Sequence, residues 1–190
     1  MLKKLVEANR SYRRFYQDVP IARETLVELI ELARLSSTGA NLQPLKYIVS
    51  VDPVRNALIY PSLKWAGYLK EWDGPPEGER PAGYVTILLD HAISKKTLCD
   101  QGIAAQSILL GAVERGLGGC MIGNIDREEL CKTLNIGEQF EVLLVIALGK
   151  PKEVVKLVPL GQDGDVKYYR DAEEVHNVPK RSLSDLIIEP

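Results

Sequence analysis

"GIAAQSILLGAVERGLGGCMIGNID", residues 102–126, is the stretch around which the rest of the chain is organised. Gly102–Glu114 is apolar nearly all round and too long for a strand, which predicts a central helix at the core of the fold. Gly116, Gly118 and Gly119 end it, and "CMIG" from Cys120 follows as a very short extended piece. Asp126, with Glu129 three residues on, starts another helix in the way of a capping box, with Leu130 and Leu134 facing inward and Gly137 at the expected C′ position. "VLLVIALG", Val142–Gly149, then reads as a buried strand that Lys150 and Pro151 terminate.

Toward the N-terminus, "YVTILLD", Tyr84–Asp90, is a second strand whose apolar run predicts burial on both faces. Residues 60–83 are rich in Pro, Gly and charge, carry Trp65 and Trp72, and have no sustained period, so they read as a long surface excursion. "LKYIVSVD" after Pro44 is a short strand closed by a turn at Asp52 and Pro53. In Thr25–Leu35, Leu26, Leu29, Ile30 and Ala33 share one face, as in an amphipathic helix. Leu2, Leu5 and Val6 recur at helical spacing and run into a basic knot, "NRSYRRF", Asn9–Phe15. The last forty residues are polar and irregular until "SLSDLII". Short strands separated by helices in this order predict a layered α+β or α/β domain.

The 190 residues are 45% hydrophobic, enough for one substantial core and short for two, so a single domain over 1–190 is expected. With 24 basic against 26 acidic residues, the chain is no polyanion binder as a whole, and any phosphate site must be local. Nucleic acid is not an expected partner. Cys99, Cys120 and Cys131 show no CxxC pairing and have only His91 and His176 beside them, so no metal site is expected, and an odd cysteine count suits a reducing cytoplasm. No apolar run approaches the ~18 residues that a membrane-spanning helix needs.

Four constellations carry chemistry. Arg10, Arg13 and Arg14, with Ser11, in the knot offer planar forks and a hydroxyl to a phosphate, or form a solvated charged surface. "LSSTGANLQP", Leu35–Pro44, empties a helix into small polar residues, either as an ordinary loop or because backbone there approaches a ligand. "GLGGCMIGNID" is a tight turn or a run whose amides face a planar group. Lys180 and Arg181 beside Pro179 add a basic pair.

In this order, "RSYR", "ARLSSTGANLQPLKYIV", "GLGGCMIGNID" and the basic tail "VPKRSLSDLI" resemble the nitroreductase family of FMN-dependent oxidoreductases, over almost the whole chain. The resemblance implies an α+β fold: a three-layer α/β/α sandwich with a mainly antiparallel central sheet, forming a homodimer with an exchanged C-terminal segment. It implies FMN at the subunit interface. Arg10 and Ser11 match the positions for the phosphate and ribityl chain, and Arg13 the basic residue near the pyrimidine end. Asn9 stands where many members have arginine, a loss for which Arg14 is a candidate substitute. Ser37, Thr38, Gly39, Asn41 and Gln43 match a loop that reaches the flavin held mainly by the partner, and Leu45 replaces a frequent tryptophan. Met121, Ile122, Gly123 and Asn124 match the segment bordering the ring, and Lys180 and Arg181 the C-terminal phosphate site.

The implied activity is ping-pong transfer from NAD(P)H to FMN and then to an acceptor such as a nitroaromatic or quinone. No catalytic side chain is expected, because the flavin takes the hydride. A same-fold flavin dehydrogenase or reductive dehalogenase, and a flavin-binding protein without turnover, stay open. Residues 60–83, with Trp65, Tyr68 and Trp72, are a candidate lid or a structural loop; residues 151–190 are a C-terminal extension expected to wrap the partner.

Overall fold

In the computed structural model, which describes residues 1–189, β5 (Phe140–Pro151) is the strand around which the main sheet is built. Along one side it pairs with β3 (Gly83–Asp90), which pairs in turn with β2 (Leu45–Ser50). Its other side takes β4 (Gly118–Ile122) and then β1 (Phe15–Tyr16), and every one of these pairings is antiparallel. Lys150 and Pro151 therefore extend the strand instead of ending it, because β1 pairs with both.

Three layers follow from the alternation of side chains along this sheet. Val85, Ile87, Ile146 and Leu148 face α2 (Arg23–Arg34) and α4 (Asp100–Glu114). Tyr84, Leu88, Val145 and Ala147 face α3 (Pro53–Ile59) and α5 (Arg127–Leu134) through Ile59 and Leu130. All eight residues of β3 are buried, as its unbroken apolar run predicts. Register shifts after Ile87, which lies opposite Leu144 while Leu88 lies opposite Val142; the bulge lets Leu144 face α2 and α4 and Val142 the other layer. Leu26 and Leu29 of α2 are fully buried, each worth about 2 kcal/mol. Gly111 lets α2 approach, since a Cβ there would lie 2.3 Å from Leu32 Cδ1.

Four local readings are corrected. Asp52 and Pro53 open a helix instead of closing a strand: the Asp52 carboxylate accepts from Arg55 N at 2.8 Å, and Pro53 occupies the first turn of α3, where a missing N–H costs nothing. α5 ends on Asn135 in the left-handed region, φ 53°, before Gly137 is reached. α4 is one-sided, with Ala104, Ala105, Ile108 and Leu109 buried while Gln106 and Ile103 face outward. The C-terminal forty residues are not irregular: β6 (Val155–Pro159), β8 (His176–Lys180) and β7 (Tyr169–Arg170) form a second sheet in that order, β6 and β8 being parallel. Pro179 hides β8 from sequence reading because proline normally interrupts a strand.

Leu63, Trp65 and Ala66 of the 60–83 excursion are buried in the α3/α5 layer, so much of the segment is structural. α1 (Leu2–Ala8) has no buried residue, and no helix among the described residues is long and apolar enough to cross a membrane.

Gly119 is tightly constrained. A Cβ there would sit 2.5 Å from the Ala147 carbonyl oxygen and 2.7 Å from Leu109 Cδ2, and the β4–β5 ladder holds that carbonyl in place. Gly119→Ala is expected to cost about 2 kcal/mol, read as a lower urea midpoint with an unchanged slope.

Candidate functional site

The basic knot is laid along the edge of the main sheet. Asn9 closes α1, its N–H donating to Leu5 O at 2.8 Å, and turns the chain extended. Ser11 then bridges Gly119 in parallel, Tyr12 N donates to Gly119 O at 3.0 Å, and Phe15 and Tyr16 join β5 as β1. Extended backbone sends neighbouring side chains to opposite sides, which separates Arg13 from Arg14.

Arg13 turns inward and is only 9% exposed. Its Nη1 donates to Ser11 O and to His176 Nε2, both at 3.2 Å, and its Cζ lies 4.7 Å from the centre of the Tyr168 ring. Its backbone N–H donates to the buried Glu153 carboxylate, which also accepts from Arg14 N at 3.2 Å and Arg170 Nη2 at 3.3 Å. Arg14 turns the other way, to Glu79 at 2.5 Å and Glu174 at 3.1 Å. It does not replace the arginine missing at Asn9.

Around Arg13 lies a cleft of about 310 Å³. Gly119 and Met121 of β4 and Gln106 and Leu109 of α4 line one part, Asn9, Arg10, Ser11 and Arg13 another, and Tyr168, just before β7, with His176, Val178 and Lys180 of β8 the rest. Arg10, Arg13 and Lys180 bring three cations to this lining, which contains no carboxylate. Burial, with the Arg13 and Arg170 guanidiniums beside it, pushes the His176 imidazole down to about 4, so it is neutral near pH 7. Arg10 Nε and His176 Nδ1 are buried with no partner among the described residues. A cationic cleft walled on one side by a strand edge, with donors left unpaired, suits a ligand that joins an anionic group to an apolar planar one.

Five expected residues converge here: Arg10, Ser11, Arg13, Met121 and Lys180. Arg181 does not. Side chains alternate along β8, so His176, Val178 and Lys180 reach the cleft, while Arg181, just beyond the strand, is absent from its lining and faces a neighbouring hollow with Lys180, Ser182 and Asp185. Ile122 is buried in the α3/α5 layer and can offer only backbone. Gly123 and Asn124 are exposed past the end of β4, where Asn124 O accepts from Lys64 N at 3.0 Å.

The small polar loop is elsewhere. Ser37, Thr38 and Gln43 line a second hollow of about 140 Å³ with Tyr47 and the buried Asp100. Gly39 N donates to Asp100 Oδ1 at 2.9 Å, and Gln43 N to Thr38 Oγ1 at 3.3 Å. Ala40, Asn41 and Gln43 have φ of 48°, 55° and 53°, in the left-handed region that alanine and glutamine disfavour. Such concentrated strain is typical of segments held for a functional shape.

Asn9, Gln106, Leu109, Tyr168, His176 and Val178 were not anticipated at the site. The i, i+2 spacing of His176, Val178 and Lys180 carried a signal that Pro179 masked; Tyr168, in a polar run, had none. The aromatics of the excursion also divide. Trp65 is 8% exposed inside the core, and Trp72 lies beneath Arg170, whose Cζ is 4.4 Å from its ring centre, so neither is free to stack on a substrate. Tyr68 is 51% exposed and meets Tyr168 of the cleft wall at 4.9 Å between ring centres. Cys120 is buried, and burial pushes its thiol pKa up, which suppresses thiolate chemistry.

Comparison with known proteins supplies a context. The nitroreductase family model matches residues 82–150, a span covering β3, α4, β4, α5 and nearly all of β5. The Bacillus subtilis protein named "Putative NAD(P)H nitroreductase MhqN" is 26% identical across 78% of this chain and 87% of that protein. The NADPH:FMN oxidoreductase of Vibrio harveyi, solved in complex with NAD+, has a TM-score of 0.65 at 24% identity over 85% of this chain and 74% of that one. A nitroreductase family protein of Clostridium novyi NT has a TM-score of 0.65 at 19% identity, over 97% of this chain and 98% of that one. Likeness at that identity is likeness of fold.

Proposed function

We propose that this chain, whose residues 82–150 match the nitroreductase family model, is a member of that family and a cytoplasmic FMN-dependent NAD(P)H oxidoreductase. The observation that carries the reading is the convergence of Arg10, Arg13 and Lys180 on one carboxylate-free cleft beside the edge of β4. Arg10, Ser11 and Lys180 would hold the phosphate by charge-assisted hydrogen bonds. Met121, with the backbone from Ile122 to Asn124, would border the ring. Bound there, the flavin supplies ping-pong redox chemistry, taking a hydride from NAD(P)H and passing electrons to an acceptor such as a nitroaromatic or quinone.

The chain's own part is electrostatic. Arg13, fixed and nearly dry, favours the more negative, reduced state of a flavin beside it, since a buried cation is screened less than one in water. Among the residues lining the cleft, none is cast as a nucleophile or general base, and solvent supplies the proton. Tyr68, against Tyr168, is the part of the excursion able to act as a lid over the substrate side.

A homodimer completes the site. The hollow of Ser37, Thr38 and Gln43 is separate from the cleft of its own chain, which supports the reading that this loop, with Gly39 and Asn41, serves the flavin of a second copy. Residues 155–180 form the second sheet within their own chain, and the part of the 151–190 extension proposed to wrap the partner is the segment beyond Lys180. In that tail Leu183, Leu186, Ile187 and Ile188 are all more than half exposed, and a partner surface would cover them.

An absorbance spectrum of the purified protein with FMN, then with NAD(P)H under anaerobic conditions, tests the reading. A bound flavin spectrum that bleaches is expected. If no flavin is retained in excess FMN, the reading is wrong.

A further inference from the structure

Arg13 is held from several directions by the C-terminal sheet and the residues that lead into its strands. Its main chain is tied to Glu153, and its guanidinium to His176 and the face of Tyr168. Arginine has no acceptor, so the 3.2 Å contact requires His176 to present a lone pair on Nε2 and to carry its proton on Nδ1. Tyr168 closes the arrangement, its ring 5.0 Å from the imidazole. His176 itself is 1% exposed and sits on the middle strand of the second sheet, its N–H donating to Val154 O at 2.9 Å. Val154 follows Glu153 directly, so one short segment anchors both Arg13 and the histidine that contacts it.

The arrangement is costly for folding alone. The Nδ1–H is buried without a partner among the described residues, a defect worth about 1–3 kcal/mol. A phenylalanine would fill the same space without it.

We propose that His176 is the positioning residue for Arg13: through Nε2 it fixes the guanidinium at the place where charge on a reduced flavin needs it. The inference rests on the flavin reading above. Sheet-mounted support of this kind keeps a functional group in one geometry before the ligand arrives.

Two measurements test it. Nitrogen-15 histidine NMR of the flavin-free chain near neutral pH should show His176 as the neutral Nδ1–H tautomer, its signals assigned by their loss in His176→Phe. An Nε2–H tautomer overturns the proposal whether or not flavin binds. In the flavin-loaded protein, His176→Phe should cut the preference for reduced over oxidised FMN about tenfold, a fall of about 30 mV in the two-electron midpoint potential. His176→Gln, which returns an acceptor near the Nε2 position, should stay within about threefold of the parent.

An unchanged potential in His176→Phe overturns the proposal. If that variant does not fold, a His176→Gln potential as low as that of Arg13→Gln overturns it instead. Failure of the parent chain to take up FMN sinks the flavin reading, and the tautomer then decides whether the clamp on Arg13 exists.

Discussion

Acidification from about pH 7 to pH 3 is expected to remove about 5 kcal/mol of folding stability through two groups alone. Glu79, 12% exposed at its side chain, lies between Arg14 at 2.5 Å and Lys152 at 2.9 Å. The Arg14 hydrogen bond, reinforced by Lys152 against the opposing effect of burial, holds its carboxyl down at about 2, from an ordinary 4.5. The stabilisation is complete above pH 4.5 and disappears as pH falls toward 2, because the unfolded chain takes up the proton first. His176 behaves alike for the opposite chemical reason: burial beside Arg13 and Arg170 keeps it neutral down to about 4, while the unfolded chain protonates near 6.5.

Each displacement of about two and a half pH units is worth roughly 3 kcal/mol when fully expressed. Only part of the Glu79 contribution is lost by pH 3, hence the sum of about 5. Against a total of about 5–15 kcal/mol for a domain, the loss is large. Urea denaturation at a series of pH values checks it. Glu79→Gln should flatten the curve below about pH 4.5, and His176→Phe should flatten it between about 6.5 and 4. A parent curve already flat between 6.5 and 4 would mean that His176 titrates as in the unfolded chain.

FMN binding should discriminate sharply between adjacent basic residues. Arg10→Ala and Lys180→Ala are each expected to weaken FMN about tenfold to a hundredfold, since a hydrogen bond to a charged group is worth about 1.5–3 kcal/mol. Arg181→Ala should change affinity less than about threefold, because Arg181 does not line the cleft that Lys180 enters. Arg14→Ala should leave FMN affinity nearly intact and lower stability, its partners being Glu79 and Glu174. Fluorescence titration of FMN at two salt concentrations separates these cases, and the Arg10 and Lys180 contributions should shrink as salt rises. Equal sensitivity at Lys180 and Arg181 would contradict the alternation along β8.

Periodicity in the chain carries the layered architecture. Runs such as Tyr84–Asp90 and Val142–Gly149, short and bounded by turn residues, read as buried strands, and the 3.6-residue face of Leu26, Leu29 and Ala33 reads as a helix that must bury that side, because apolar surface leaves water wherever the chain goes. Motif order likewise put forward Arg10, Ser11, Arg13, Met121 and Lys180, which the fold gathers around one cleft. Folding decided what local patterns cannot encode. Arg13 points inward and Arg14 outward because the knot is stretched along β4 and β5, and His176 meets Arg13 across 163 positions of sequence because β8 docks beside the knot. Trp65 is core and Tyr68 is exposed, although both lie in one irregular segment. Burial, register and pairing partners are properties of the packed whole, set by contacts between residues far apart in the chain, so no window of sequence contains them.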